Sequence, residues 1–316
     1  MKSDSMKKLK MLVTHTFNGL KAPVIALALL LAAQAVAVAG STPFSQVIAF
    51  GDSLTDNGNG RYAGPPNFQG RSSDGIVWVE HLANDLGMAG LLDDYAVSGA
   101  ATVDLQGQIG RYLTSHQGDP NALYILWAGH NDLFGWTFSP PASPETVINN
   151  GVQNTLQAVQ TLRNAGARHI VVLSLADVGV TPIMRGAPIS REAVSAVCAS
   201  YNQALEAALQ GLETAGVPTI RINGFGWFRN IVASPAEFGF VNVTDEFLLD
   251  WYLPRAGANP AEYFFWDLVH PTTRGHRVMA DIARNGLIDY YSPRNGKSHP
   301  RALVNALNGL AKAKKR

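Results

Sequence analysis

The apolar residues of this chain gather in five short runs, at 47–50, 91–97, 122–128, 169–175 and 219–222. Between them lie amphipathic stretches near 77–86, 105–114, 144–165 and 191–215. The runs have the length of strands, and the intervening stretches have the length and periodicity of helices. Parallel strands need crossovers that cover the faces of the sheet, so this alternation admits few architectures. An α/β fold with a mostly parallel sheet and helices on both faces is expected. A last helix is expected from Thr272 to about Asn285, with Pro271 in its first turn. No internal repeat, Ser/Gly linker or composition shift interrupts the chain before Ser292, which implies one domain over 40–292. Of the 316 residues 47% are hydrophobic, ample for a sizeable core.

The two ends differ from this body. Lys7, Lys8, Lys10 and Lys21 precede an uncharged run at 22–39 rich in Ala, Leu and Val. Ala35-Val36-Ala37 and Ala37-Val38-Ala39 both offer small-residue cleavage sites. A basic region, an apolar region and an A-x-A end, in that order, read as a secretory signal peptide over 1–39. Cleavage after Ala37 or Ala39 would give a secreted or periplasmic protein. The run is also near the minimum that spans a bilayer, so an uncleaved anchor is the alternative. At the other end, 293–316 is a basic tail closing on Lys312-Ala313-Lys314-Lys315-Arg316 after an amphipathic 302–310. A frayed, solvated end is expected there, with weak membrane-surface contact as the alternative. Lys and Arg number 25 against 24 Asp and Glu, and this balance gives no reason to expect nucleic acid as a partner. Cys198 is the only cysteine and falls in the apolar stripe of Val194, Val197, Tyr201 and Leu205. It is expected to be a buried, inert thiol.

The chemistry concentrates at the ends of the apolar runs. Gly51-Asp52-Ser53-Leu54 follows the first run, so Ser53 is presented at a strand's carboxyl end, where open α/β sheets build their sites. The same turn would arise if Ser53 or Asp52 merely capped the next helix. Near the C-terminus stands Phe264-Phe265-Trp266-Asp267-Leu268-Val269-His270-Pro271. Pro271 keeps His270 out of helical dihedrals. A carboxylate three residues earlier can accept from Nδ1 and leave Nε2 free to take a proton from a serine. Asp267 acting only as a cap, with His270 packed on the aromatic run, is the competing reading. Ser98-Gly99 follows the second run, and Gly129-His130-Asn131-Asp132 follows the third. A backbone N–H and an Asn amide converging from these segments would stabilise a tetrahedral oxyanion. Both segments also have the composition of ordinary turns. His130 beside Asn131 is expected to face away from it, supporting the site from behind or lying on the surface.

Taken together, Gly51-Asp52-Ser53-Leu54, Ser98-Gly99, Gly129-His130-Asn131-Asp132 and Asp267-Leu268-Val269-His270 resemble the four blocks of the GDSL, or SGNH, hydrolases, in that family's order. Asp74-Gly75-Ile76-Val77-Trp78-Val79 and the residues flanking the first and last blocks are similar to the lipase branch, which includes plant GDSL lipases and bacterial lecithinase/haemolysin-type esterases. The resemblance implies a three-layer α/β/α sandwich on a flavodoxin-like, mostly parallel five-stranded sheet. It implies Ser53 as nucleophile, His270 as general base and acid, and Asp267 as its orienter. The Ser53 N–H, the Gly99 N–H and the Asn131 amide would form the oxyanion hole. Neither a cofactor nor a metal is implied. Asp94 departs from the Asn common in the branch, so the hydrogen bonds supporting the second block are expected to differ. No Gly-x-Ser-x-Gly elbow surrounds Ser53, which argues against an α/β-hydrolase.

The resemblance implies a serine esterase or lipase acting on carboxyl esters, with a small-molecule ester or lipid as substrate. An acyltransferase on the same scaffold is the alternative, and a non-catalytic lipid- or glycan-binding protein is a third reading. Trp227, Phe228, Phe238, Phe240, Trp251 and Tyr252, with Phe134, Trp136 and Phe138, are candidates for the wall of an acyl-chain groove.

Overall fold

The computed structural model describes residues 43–60, 64, 66–139, 143–292, 303–305 and 307. The expected signal peptide and its cleavage sites lie outside the described residues. The apolar runs form β1 (Val47–Gly51), β2 (Leu92–Asp94), β3 (Leu123–Trp127), β4 (His169–Leu173) and β5 (Ile220–Ile222). All pair in parallel, in the order β2-β1-β3-β4-β5. Every residue of β1 and β3 is buried, as strands covered on both faces must be. Regular pairing in β2 ends at Asp94. The chain still follows β1 beyond it, with the Tyr95 and Val97 N–H groups donating to the Ala49 and Gly51 carbonyls.

Among the described residues seven helices of eight residues or more accompany the sheet: α1 (Trp78–Asp85), α2 (Leu105–Ser115), α3 (His130–Phe138), α4 (Pro144–Ala165), α5 (Arg191–Thr214), α6 (Gly224–Ala233) and α7 (Thr273–Tyr291). Strand alternation divides the core in two. Val47, Ala49, Leu123, Ile125 and Trp127 pack with Leu82 of α1 and Met279 and Leu287 of α7. Ile48, Phe50, Tyr124 and Leu126 pack with Ile109 of α2, Leu162 of α4 and Leu205 of α5. The result is a three-layer α/β/α sandwich. Its strand order reverses between β1 and β3, and this switch opens a crevice beyond their carboxyl ends.

Several elements depart from the sequence expectation. Helices α3 and α6 were not anticipated: both are short and carry an internal glycine, and α3 has apolar residues on several sides. Neither were β6 (Asn242–Glu246) with β9 (Tyr263–Phe265), which pair in parallel, and the antiparallel hairpin β7 (Leu248–Leu249) with β8 (Leu253–Pro254). Helix α7 begins one residue later than expected and runs on to Tyr291. Thr272 caps it, its Oγ1 accepting from the Gly275 N–H at 3.2 Å, so Pro271 precedes the cap and lies outside the first turn.

The tail also differs. Leu303 and Leu307 lie in a helical stretch and are buried, in the same core cluster as Leu287 and Tyr291. Leu303 and Leu307 thus face the domain core, unlike the solvated end or membrane-surface contact expected for this stretch. The basic residues that follow, Lys312, Lys314, Lys315 and Arg316, lie outside the described residues. Leu307→Ala should therefore lower unfolding stability by about 2–5 kcal/mol in urea titration. A change within ~0.5 kcal/mol, the range of surface substitutions, would mean that the stripe is not packed.

Candidate active site

The turn after β1 sets the position of Ser53. A Cβ at Gly51 would run into the Trp127 carbonyl, so only glycine lets β1 end this close to β3. Gln108 of α2 clamps the same residue from the side, donating to the Gly51 carbonyl and accepting from its N–H, both at 2.8 Å. The Asp52 carbonyl accepts from the Thr55 and Asp56 N–H groups at 3.0 Å each, and Asp52 Oδ1 accepts from Leu54 N–H at 3.1 Å. Ser53 is thus held at the outer bend of a tight turn at the switch point.

His270 arrives from the other end of the chain. Its Nε2 lies 2.7 Å from Ser53 Oγ. Its Nδ1 lies 2.8 Å from Asp267 Oδ2 and 3.0 Å from Oδ1. Asp267 Oδ1 also accepts from the Val269 and His270 N–H groups at 2.8 and 2.7 Å, so one carboxylate fixes both the loop and the ring. The loop is closed by the Trp266 N–H donating to the His270 carbonyl at 2.7 Å. Ser73 Oγ donates to the Pro271 carbonyl at 3.0 Å, and Asp74 Oδ1 accepts from the Thr273 N–H at 2.6 Å, which anchors the start of α7. Burial disfavours the charged imidazole of His270. The charge and hydrogen bond of Asp267, with Asp52 adding its charge, outweigh this and raise the ring's pKa above its ordinary value of 6.5.

The other expected residues surround Ser53. Gly99 adopts φ +84°, a left-handed conformation that favours glycine, with open space where a side chain would project. Among the described residues the Ser53 and Gly99 N–H groups meet no acceptor. Asn131 Nδ2 donates to the Ala100 carbonyl at 2.8 Å, which uses one of its two N–H bonds and leaves the other free. Ser53, Gly99, Asn131 and His270 line one cleft of about 350 Å³. Asp94, where the branch usually has Asn, accepts from the Asn57 and Ala96 N–H groups at 2.9 Å each. Burial, reinforced by the charge of Asp56, nevertheless raises its carboxyl well above the usual range. Burial likewise pushes the Cys198 thiol up to about 12, in keeping with an inert core cysteine. Among the described residues no group of three or more His, Cys, Asp or Glu side chains is arranged to hold a metal ion.

Three further carboxylates act where the sequence offered little signal. Asp56, fully buried, accepts from the Gly58, Asn59 and Ser98 N–H groups and from Ser98 Oγ, at 2.5–2.8 Å. It thereby fastens the Gly99 loop to the Ser53 turn. Asp132 accepts from Thr102 N–H and Oγ1 at 2.9 and 2.6 Å, tying that loop to α3. Asp52 Oδ2 lies 2.7 Å from Nδ1 of His130. His130 is buried and lines the cleft, so the surface reading fails and the supporting one stands. It begins a helix instead of ending a strand, and adjacent helical residues lie only ~100° apart. His130 and Asn131 both reach the cleft and do not point to opposite sides.

The apolar wall is also redistributed. Phe134 and Phe138 line the cleft, whereas Trp136 is buried in the core. Of the aromatics between 225 and 266, Phe228 alone among those named reaches it. Trp227 and Phe240 pack in the core, and Trp251 and Tyr252 stand exposed at the β7–β8 turn. Leu54 and Val269 join the wall, and the rest of it is Ala176, Val178, Thr181 and Ile183, from a segment after β4 that no periodicity marked. The Ile183 N–H donates to the Leu268 carbonyl at 2.9 Å, so this wall is fastened to the loop of Asp267 and His270.

Because Asp56 satisfies several loop donors at once, Asp56→Ala should cost at least about 2 kcal/mol in denaturant unfolding, the penalty of buried donors left without acceptors. A neutral substitution would show that solvent replaces the carboxylate.

A model of the GDSL-like lipase/acylhydrolase family matches residues 47–283. Thermolabile hemolysin of Vibrio parahaemolyticus serotype O3:K6 is 28% identical over 282 residues, covering 78% of this chain. The chain spans 65% of that protein, less than two thirds of its length. Phosphatidylcholine-sterol acyltransferase of Aeromonas hydrophila is 27% identical over 83% of this chain and 96% of its own length. Among solved structures, a catalytic mutant of Axe2, an acetylxylan esterase from Geobacillus stearothermophilus, superposes with a TM-score of 0.50 at 15% identity. It covers 76% of this chain and 93% of that one, a likeness of fold alone. With a family model matching residues from the first strand into the last helix, and with all four sequence blocks gathered around one cleft, this chain belongs to the GDSL-like lipase/acylhydrolase family.

Proposed function

We propose that the chain is a serine esterase or lipase that hydrolyses carboxyl esters, acyl lipids among them, through an acyl-enzyme on Ser53. The observation that carries the reading is the hydrogen-bonded relay Ser53–His270–Asp267 opening into a largely apolar cleft. Membership of a lipase/acylhydrolase family supports the same reaction class. In this mechanism His270 Nε2 takes the Ser53 proton while Oγ attacks the ester carbonyl carbon. The oxyanion that forms is met by the Ser53 N–H, the Gly99 N–H and the free N–H of Asn131. His270 returns its proton to the departing alkoxide, and the alcohol leaves. It then deprotonates a water that attacks the acyl-serine; as the acyl–Oγ bond breaks, His270 returns that proton to Ser53 Oγ and the carboxylic acid is released. Asp267 keeps the ring aimed and stabilises the imidazolium.

An acyltransferase is the second reading, with an alcohol in place of water in the final step. The match over 96% of a phosphatidylcholine-sterol acyltransferase favours keeping it. The basic and apolar N-terminal pattern supports a secreted or periplasmic location for the enzyme.

Ser53→Ala should lower turnover of p-nitrophenyl esters at least ~100-fold with an unchanged melting curve. Retention of more than about one per cent of the activity would remove Ser53 as nucleophile. Across an ester series, kcat/KM should rise with acyl length by up to about 0.8 kcal/mol per methylene until the cleft is full. Product analysis with a competing alcohol separates hydrolysis from transfer.

The pH profile follows from His270. Only the neutral ring can take the serine proton, and Asp267 holds the pKa of the ring above 6.5. Activity should be low in acid and rise through a midpoint above 6.5 in kcat/KM, which reports the free enzyme. In Asp267→Asn the residual activity should rise through a lower midpoint, since the carboxylate's charge is gone. A wild-type midpoint at or below 6.5 would contradict the assignment.

A further inference from the structure

We propose that His130 is a positioning residue, held as its neutral Nδ1–H tautomer between Asp52 and the Ala176 N–H, whose two ring nitrogens separately govern turnover and acyl-chain preference. The proposal rests on the ester-hydrolase reading of the cleft. His130 is 4% exposed. Its Nε2 accepts from the Ala176 N–H at 3.1 Å, and its Nδ1 lies 2.7 Å from Asp52 Oδ2. A backbone N–H can only donate, so Nε2 carries no proton and Nδ1 donates to the carboxylate. The lone pair a base would need is occupied, so this second Asp–His couple cannot stand in for His270. Trp127 meets the ring edge-on at 5.3 Å and 80° and fixes its plane.

The two bonds lead to different walls. On the Nδ1 side, Asp52 immediately precedes Ser53 and holds the Leu54 N–H just beyond it. This bond ties the serine turn to the helix that carries Asn131. On the Nε2 side, Ala176 opens the segment whose Val178, Thr181 and Ile183 line the cleft. Phe134 and Phe138, four and eight residues after His130, face the same cleft from α3. Losing the first bond lets Ser53 shift against its oxyanion donors, which harms every ester alike. Losing the second leaves a buried N–H unpaired and frees the apolar wall, which harms long acyl chains most.

Asn and Gln separate the two roles, because an Asn amide reaches about where Nδ1 sits and a Gln amide about where Nε2 sits. His130→Asn keeps a donor for Asp52 and drops Ala176, whereas His130→Gln keeps an acceptor for Ala176 and drops Asp52. Turnover of acetate and octanoate esters is measured for both, with melting curves as a control on folding. For His130→Gln, kcat should fall roughly 10–100-fold at both chain lengths, with the octanoate-to-acetate ratio of kcat/KM held within about twofold. For His130→Asn, that ratio should fall about tenfold while kcat on acetate drops by less than about fivefold. Equal effects of the two variants on both quantities would overturn the division of roles. Ring ¹⁵N spectra of the wild-type protein test the tautomer independently of activity and of variant folding. Nδ1–H is expected, and Nε2–H overturns the proposal. If the wild type cleaves no ester of the series yet Ser53 reacts with a fluorophosphonate, the ester reading fails on its own. The tie then stands if His130→Gln slows labelling and His130→Asn does not, and falls if the order is reversed or equal.

Discussion

A carboxylate removed from water must be met by hydrogen-bond donors, and an irregular loop removed from water must find acceptors for its N–H groups. At the carboxyl edge of this sheet each requirement answers the other. Asp52, Asp56 and Asp267 are buried, and each accepts backbone N–H groups from a segment with no helix or ladder to satisfy them. Asp132 does the same from the first turn of α3. Anions held this way gain charge-assisted bonds, while the loops lose the freedom that usually makes such segments mobile. Asp52 and Asp267 thus order the serine turn and the histidine loop from within, while Asp56 and Asp132 fasten the Gly99 loop to its neighbours.

The sheet supplies the convergence. The strand order turns back between β1 and β3, so the segments leaving these two strands diverge and leave a crevice between them. Ser53 and Asn131 sit on the two sides of that crevice, and the loop after β2 brings Gly99 alongside. Helix α7 packs against α1 on one face of the sheet, and its capped start delivers His270 to the open end. Residues separated by 217 positions thus meet at hydrogen-bond distance without a long arm on either side.

Much of this was legible in the chain. Short apolar runs alternating with helical stretches give the α/β architecture, and motifs at strand ends give Ser53, Gly99, Asn131, Asp267 and His270, which lie together in or beside one cleft. What stayed hidden has physical reasons. The wall from Ala176 to Ile183 has no periodicity, and it is assembled by contacts to His130 and Leu268 that are distant in sequence. The aromatics of 225–266 were misleading because aromatic side chains serve cores as readily as grooves. His130 was expected to face away from Asn131, a strand rule applied to what is a helix start. The stripe in 302–310 announced an apolar face at Leu303 and Leu307 but not what covers it. Amphipathicity specifies a surface, and only packing names its partner.

Ser53 lies in the first turn after the first strand, while His270, its proposed base, arrives immediately before the final long helix. During synthesis Ser53, the glycine loop and the Asn131 helix all emerge long before His270. An incomplete chain carries a serine with no group to take its proton and a cleft lacking one side. On the proposed mechanism, packing of the last long helix against α1 is what brings His270 to Ser53. In that mechanism, a fragment ending before His270 would lack the group that takes the Ser53 proton.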